Sequence, residues 1–295
     1  MFCPSNIMIK SFLFITILLC AFQYISINKY NKHIVTIKEL FQTLQENGLN
    51  NVEIHEMLGY VEVDVCNTTF DNDLLHKFFN VLHRWKKENL CLDFQHCNFN
   101  KNIDFSLLQN IGNVLGLTIA KSEQIPIQIL KGVSSPNLIF VGFYQEERSI
   151  LTKEESELIS TCCNISELRL TNIVVSNETL LPLSKLKIDC LWIDMVIIND
   201  DTIAVLLNFE QLISLNINSV AITDSILTRL SKLPLKDIQI SNSSISEKGL
   251  QILTQWKTLR EISLFDNKNI VFDGTTTPKD LLLYLQYIQK NSPLP

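Results

Sequence analysis

Short apolar stretches of one form recur along the chain. The clearest carry apolar residues at positions 1, 4 and 6, as in Ile165, Leu168 and Leu170. The spacing returns at Ile188, Leu191 and Ile193, at Leu212, Leu215 and Ile217, at Leu235, Ile238 and Ile240, and at Leu259, Ile262 and Leu264. The middle residues fall at 168, 191, 215, 238 and 262, so successive steps are 23, 24, 23 and 24 residues. Upstream the phase continues with looser steps through Val141, Leu117, Leu92 and Val63. The alternation predicts a short strand in each unit.

With those middle residues numbered as position 4, a second apolar signal follows. Position 11 is apolar in Phe70, Phe99, Val175, Ile198, Ile222 and Ile245. Positions 16 and 19 are apolar in the pairs Leu180/Leu183, Ile203/Leu206, Leu227/Leu230 and Leu250/Leu253. A spacing of three is about one helical turn, so each unit reads as strand, turn and short helix. The polar turns Asn199–Asp201, Thr223–Ser225 and Ser246–Gly249 supply helix caps. A repeat of this length marks a solenoid, in which each coil buries its apolar face only against its neighbours. Strands stack ~4.8 Å apart while helices are ~10 Å wide, so the stack curves with its sheet on the inside.

The unit Leu235–Thr258, LKDIQISNSSISEKGLQILTQWKT, resembles a leucine-rich repeat of the helix-bearing kind. The resemblance covers about 200 of the 295 residues. It implies an α/β fold: a leucine-rich repeat solenoid, a curved right-handed coil with a parallel sheet on the concave face and short helices on the convex face. The chain departs from the pattern at position 9, where the family's usual Asn or Cys appears only as Cys97 and Asn267. Elsewhere the position holds Ile173, Val196, Val220 or Ser243. That residue normally hydrogen-bonds buried loop backbone, so the other loops must satisfy their backbone in another way.

The ends of the stack need covers. An amphipathic helix is expected from Ile34 through Glu46, stopped at Asn47 and Gly48, then a hairpin within Val52–Val65. A second helix is expected from Pro278 through Gln289. The expected organisation is therefore a targeting segment at 1–30, an N-terminal cap at 31–59, about 8–9 repeat units at 60–274 and a capping helix at 275–295. Within the targeting segment, Lys10 precedes an uncharged run at 11–27, followed by a polar, basic stretch. The run is short for a membrane span and lacks a clear cleavage site. Signal peptide and uncleaved signal anchor both stay open, predicting a secreted or a membrane-anchored protein.

Side chains at positions 3, 5 and 7 should face the concave surface. Acidic residues dominate that face, and Arg169 is its one Lys or Arg. Aromatic residues gather in its middle: Phe140, Tyr144 and Trp192 lie in three successive coils. Exposed aromatics beside polar groups mark protein-binding surfaces. The expected partner-binding patch is Phe140, Tyr144, Arg169, Trp192, Asp194 and Asn216. The alternative is that Phe140 and Trp192 simply pack on neighbouring strand residues.

Composition narrows the function classes. Hydrophobic residues make up 46% of the chain, ample for a core. The chain has only 8 glycines, and neither dinucleotide nor P-loop phosphate motifs occur. A net charge of −6 argues against a nucleic-acid surface. Cys97 should be a buried free thiol at the repeat's own Cys position. The spacing from Cys91 to Cys97 and the adjacent Cys162 and Cys163 match no zinc pattern. His55-Glu56 lacks a second histidine, and His76 and His83 share a predicted helix face without a ligand partner. Asp64 and Asp93 share an inner-face column and read as a solvated acidic surface. Asn67, Asn164, Asn177 and Asn242 head glycosylation sequons. No catalytic residues, cofactor or metal are expected.

The reading is a non-enzymatic module that binds a protein partner through its concave face. In style it resembles exported leucine-rich repeat proteins of microsporidian-like parasites, and that resemblance implies contact with a host. The alternative is an intracellular adaptor, either a ubiquitin-ligase substrate receptor or a GTPase-activating repeat protein. Residues 34–58 are too short for the helical domain such receptors need, and no arginine cluster marks a GTPase contact.

Overall fold

Along each short strand every second side chain turns to the same side, so residues at positions 4 and 6 of each unit meet their counterparts in the neighbouring coil. The computed structural model describes residues 37–57, 60–85, 89–100, 103–104, 114–120, 129–132, 138–162, 164–194, 200–219 and 221–291. The leader at 1–30, residues 34–36 of the expected helix, Cys163, Val196, Ile198, Asn199 and Val220 lie outside the described residues.

The elements run as follows. Helix α1 covers 37–46. Next come β1 (Val52–Met57), β2 (Tyr60–Cys66), β3 (Thr69–Phe70), α2 (Asn72–Arg84), β4 (Leu90–Gln95), β5 (Asn98–Phe99) and β6 (Val114–Ala120). The middle holds α3 (Ile129–Gly132), β7 (Phe140–Ile150), α4 (Lys153–Ile159), β8 (Glu167–Val174), α5 (Asn177–Leu183), β9 (Cys190–Asp194) and α6 (Asp200–Leu206). The last part holds β10 (Ser214–Asn218), α7 (Asp224–Leu230), β11 (Asp237–Ser241), α8 (Glu247–Gln255), β12 (Glu261–Phe265), β13 (Gly274–Thr276) and α9 (Pro278–Asn291).

Position 4 forms one unbroken ladder. Val63, Leu92, Leu117, Val141, Leu168, Leu191, Leu215, Ile238 and Ile262 pair in parallel register, each with the next. None is more than 2% exposed. Position 6 repeats the arrangement from Val65 through Phe94, Ile119, Phe143, Leu170, Ile193, Ile217 and Ile240 to Leu264, all buried. The result is one eleven-stranded sheet, ordered β1-β2-β4-β6-β7-β8-β9-β10-β11-β12-β13. Its nine inner strands are parallel and its outermost strands, β1 and β13, are antiparallel to their neighbours.

Behind the sheet the apolar helix positions close the core. Leu180, Leu183, Ile203, Leu206, Leu227, Leu230, Leu250 and Leu253 are all buried, and α4 to α9 pack each against the next. At the N-terminal end rings fill the core. Phe70 and Phe99, both at position 11, stack with centroids 5.3 Å apart, and Phe78 and Phe94 pack against Phe70.

The caps follow local chemistry. Thr152 and Glu155 form a capping box on α4, and Ser176 and Thr179 form one on α5. Ser246 accepts from the Lys248 N–H at the start of α8. Thr223, in the same place on α7, makes no side-chain cap bond and meets the Ser225 hydroxyl at 3.0 Å instead. Helix α1 ends with Gly48 at φ 95°, where the Leu49 N–H reaches back to the Leu44 carbonyl at 3.1 Å.

Three features have no counterpart in the sequence reading. The first is a recurrent left-handed residue at position 8, directly after the strand in four units and within β8 at Asn172. Asn67, His96, Asn172, Asn242 and Asp266 hold φ between 48° and 56°, and they belong to the residue types that adopt this region most readily. The second lies in β7, where Tyr144 pairs with Thr171 but Ser149 pairs with Ile173. Three extra residues bulge between them, which accounts for the step of 27 from Val141 to Leu168. The third is β13, which closes the sheet beyond β12 by pairing Ser263 with Thr275.

At position 9 the two residues that match the repeat pattern act as expected. The Cys97 thiol is fully buried and lies 3.2 Å from the Val65 carbonyl. Asn267 accepts from the Ser243 N–H at 2.9 Å and donates to the Ile240 carbonyl at 3.1 Å. Among the described residues no helix is long and apolar enough to cross a membrane.

Candidate functional site

The inner face of the sheet is built from columns of facing residues. Position 5 runs Asp64, Asp93, Thr118, Gly142, Arg169, Trp192, Asn216, Gln239 and Ser263. Position 3 places Glu62, Cys91, Gly116, Phe140, Glu167 and Cys190 beside the first six of these.

Arg169 is the centre of this face. Its guanidinium carbon lies 5.1 Å from the Phe140 ring and 4.2 Å from the Trp192 ring. Its Nε donates to Glu167 Oε1 at 2.7 Å, and its Nη2 lies 2.5 Å from the same oxygen. Burial opposes the charge, but hydrogen bonds to Tyr144 and Glu167 outweigh it and hold the guanidinium above its usual range. The Trp192 Nε1–H donates to Cys190 Sγ at 3.2 Å. The arginine is therefore charged and fixed before any partner arrives. Phe140, Tyr144, Arg169 and Trp192 remain half-exposed.

Asp194 and Asn216 stand apart from this group. Asp194 is 8% exposed and its Oδ2 accepts from the N–H of Asn172, the left-handed residue within β8. Asn216 is 9% exposed. The structure thus brings four of the six expected residues into one cluster and places the other two at its edge. Phe140 and Trp192 do pack on a strand neighbour, but that neighbour is the arginine they present.

Two glycines shape the floor. A Cβ at Gly142 would meet the Phe140 and Tyr144 rings at 3.0 Å each. A Cβ at Gly116 would meet Cys91 Sγ at 2.9 Å and the Phe140 ring at 3.1 Å. The rings therefore lie close over bare backbone. With Thr118 and Ala120 they leave an open trough of about 570 Å³. Phe140, Tyr144, Glu167 and Arg169 line one side, while Tyr60, Glu62, Asp93 and Gln95 line the other.

That second side is an acidic wall that sequence reasoning had placed in water. Glu62, Asp64 and Asp93 each bring one carboxylate oxygen within 4.8 Å of the others, close enough to hold a cation between them. Burial, then Asp93 and Glu62, push the Asp64 carboxyl up to about 6, although His55 at 3.3 Å pulls it down. Asp93 is raised by burial and by Glu62, against a hydrogen bond from Gln95. One oxygen of each, Asp64 Oδ1 and Asp93 Oδ1, is buried without a hydrogen-bond partner. Burial and Glu62 push the neighbouring Cys91 thiol up to about 11, so it is protonated at neutral pH and a poor nucleophile. The column register alone places Asp64 beside Asp93; their burial under flanking side chains has no signature in the sequence.

No protein-family model matches the chain, and no curated protein matches it. Among solved structures it is similar to a chain in the structure of the Toll–Spatzle complex, a molecular hub in Drosophila development and innate immunity. The identity is 11% and the TM-score 0.43, over 77% of this chain and 36% of that one. The chain thus spans about a third of that structure's length, and a likeness of this size carries no functional argument. The nine-strand parallel ladder, the strand–turn–helix unit and the buried Cys97 and Asn267 make this chain a leucine-rich repeat solenoid in fold.

Proposed function

We propose that the chain is a non-enzymatic interaction module that binds a protein partner through its concave face. The observation that carries this reading is the Arg169 cluster. A charged guanidinium is held between two aromatic rings near the middle of a long, curved sheet. Trp, Tyr and Arg are the residue types that dominate binding hot spots, and a side chain already fixed in place loses little entropy on binding. Phe140, Tyr144, Arg169 and Trp192 form the contact, with Asp194 and Asn216 at its rim.

The test compares three proteins immobilised from cells of the source organism or its host. They are the native chain, a Tyr144→Ala/Trp192→Ala variant and Leu181→Ala, which alters an exposed leucine on α5. A partner retained by the native chain and by Leu181→Ala but lost by the double variant supports the reading. Equal capture by all three sinks it.

Export is part of the proposal and rests on the run at 11–27. N-terminal sequencing of the mature protein, with imaging of a C-terminally tagged chain, decides it. A cytosolic signal with an intact N-terminus would overturn export and the host-contact role that goes with it.

A further inference from the structure

The trough beside the Arg169 cluster has two unlike walls, and its charge is lopsided. On the inner face among the described residues, Arg169 is the one Lys or Arg, and it is already paired with Glu167 at 2.5 Å. Among the described residues the acidic wall across the trough has no Lys or Arg partner: Glu62, Asp64 and Asp93 converge within 4.8 Å, and the neighbour that reaches Asp64 is His55. The floor between the walls carries small side chains, Thr118 and Ala120, over strand β6. Asp93 stands on β4 and the Phe140 and Tyr144 rings on β7, the strands on either side of β6, so the gap between them is about two strand spacings, ~10 Å, with Glu62 and Asp64 one strand further out on β2. That width admits one extended segment or one long side chain lying across the sheet.

We propose that this trough is the docking site for a basic side chain, arginine or lysine, carried on an extended segment of the protein partner. The cationic head sits against Glu62 and Asp93, and its methylene stem lies along Phe140 and Tyr144. Long basic side chains bury their stems on apolar surface while keeping the charged head on a polar group. The raised Asp64 and Asp93 carboxyls fit this reading: burial first, and then neighbouring carboxylates, disfavour their charge, which a cation would relieve. An acidic segment would meet the same wall as repulsion, and Arg169 offers it only a guanidinium already held by Glu167.

The inference rests on the concave-face reading above and narrows it to a partner chemistry, so its test must separate the two. The probes are labelled glycine–serine peptides with a single arginine, lysine, citrulline or glutamate at the centre. They are titrated by fluorescence anisotropy into the full chain and into Asp93→Asn, Glu62→Gln and Glu261→Gln. Glu261 is an exposed inner-face acid at the far end of the sheet, so its variant carries the same loss of net charge. Circular dichroism checks that each variant is folded.

The expected result is binding of the arginine and lysine peptides that weakens with salt, with citrulline and glutamate at least about tenfold weaker. Asp93→Asn and Glu62→Gln should each weaken the arginine peptide about tenfold, and Glu261→Gln less than about twofold. Equal losses in Asp93→Asn and Glu261→Gln would reduce the effect to net charge and overturn the site. Binding of citrulline as tightly as arginine, or preference for glutamate, would overturn the cation. If no peptide binds while Trp192→Ala/Tyr144→Ala still abolishes partner capture, this inference fails and the concave-face reading survives.

Discussion

Arg169 and Trp192 are cross-strand neighbours in one column of the sheet, and the guanidinium carbon lies 4.2 Å from the indole ring. The pair is partly exposed, so its coupling should be that of a surface cation–π contact, about 0.5–1 kcal/mol. A double-mutant cycle of Arg169→Met and Trp192→Leu, read by urea unfolding, measures it. A coupling of zero would mean that the two side chains merely lie close. Loss of partner capture in Arg169→Met without loss of cooperative unfolding would assign the pair to recognition and not to folding.

The acidic wall makes stability depend on pH in a set direction. Asp64 titrates near 6 in the folded chain and near ~3.9 when unfolded. Between these values the folded state holds more protons, so stability falls as pH rises from ~4 to ~6 and the loss is complete above ~6. Asp64→Asn removes that titration. It should therefore be more stable than the native chain at pH 7.5, with the gain shrinking as pH approaches 4. Thermal melts across this range check the sign. A variant less stable than native at pH 7.5 would show that the carboxylate is favourably held.

Gly249 owes its identity to a carboxylate. Asp224 accepts from the Ser246 N–H at 2.9 Å and from its hydroxyl, and a Cβ on Gly249 would run into Asp224 Oδ1. Gly249→Ala should cost about 1–3 kcal/mol by overpacking, although alanine is the better helix former. In an Asp224→Ala background the tightest contact is gone and only the Ile245 Cβ at 3.2 Å stays close, so the same substitution should become neutral or stabilise by up to about 1 kcal/mol. The change of sign is the observable.

The left-handed residues at position 8 give a further prediction. Asp266 is exposed with φ 55°. Asp266→Gly should be tolerated, since glycine takes this conformation freely. Asp266→Val should cost about 1–2 kcal/mol, because a β-branched side chain clashes there. Equal stability of the two variants would show that this turn relaxes to another conformation.

These cases show what was readable in the sequence. Leucine spacing alone placed Leu168, Leu191, Leu215, Ile238 and Ile262 side by side, because a strand one residue out of phase would turn them to the other face. The same phase carried back to Val63 despite irregular steps. The step of 27 looked like weak periodicity but is a bulge of three residues that leaves the ladder intact. The polar position was sought at 9, where only Cys97 and Asn267 fit. The stronger signal lay one residue earlier, in the Asn, His and Asp side chains at position 8. Strand β13 escaped because three residues, Gly274–Thr276, hold too little alternation to register. The aromatic side of the site was legible because Phe140, Tyr144 and Trp192 stand out among polar neighbours. Its acidic side was not, since the sequence puts Asp64 beside Asp93 without telling how deeply flanking side chains cover them.

The two antiparallel strands at the ends of the sheet set a limit on self-association. A row of open amide groups on a parallel coil is a template for another copy. Here β1 and β13 occupy both such rows with strands that run the wrong way for continuing the coil. The outer strand β1 carries Glu53, His55 and Glu56, and β13 has three residues. The reversed strands thus cover the two parallel edges that a second copy of the coil could extend. Cutting the chain before Gly274 would uncover the edge of β12, and the shortened protein should gain molar mass with concentration in light scattering.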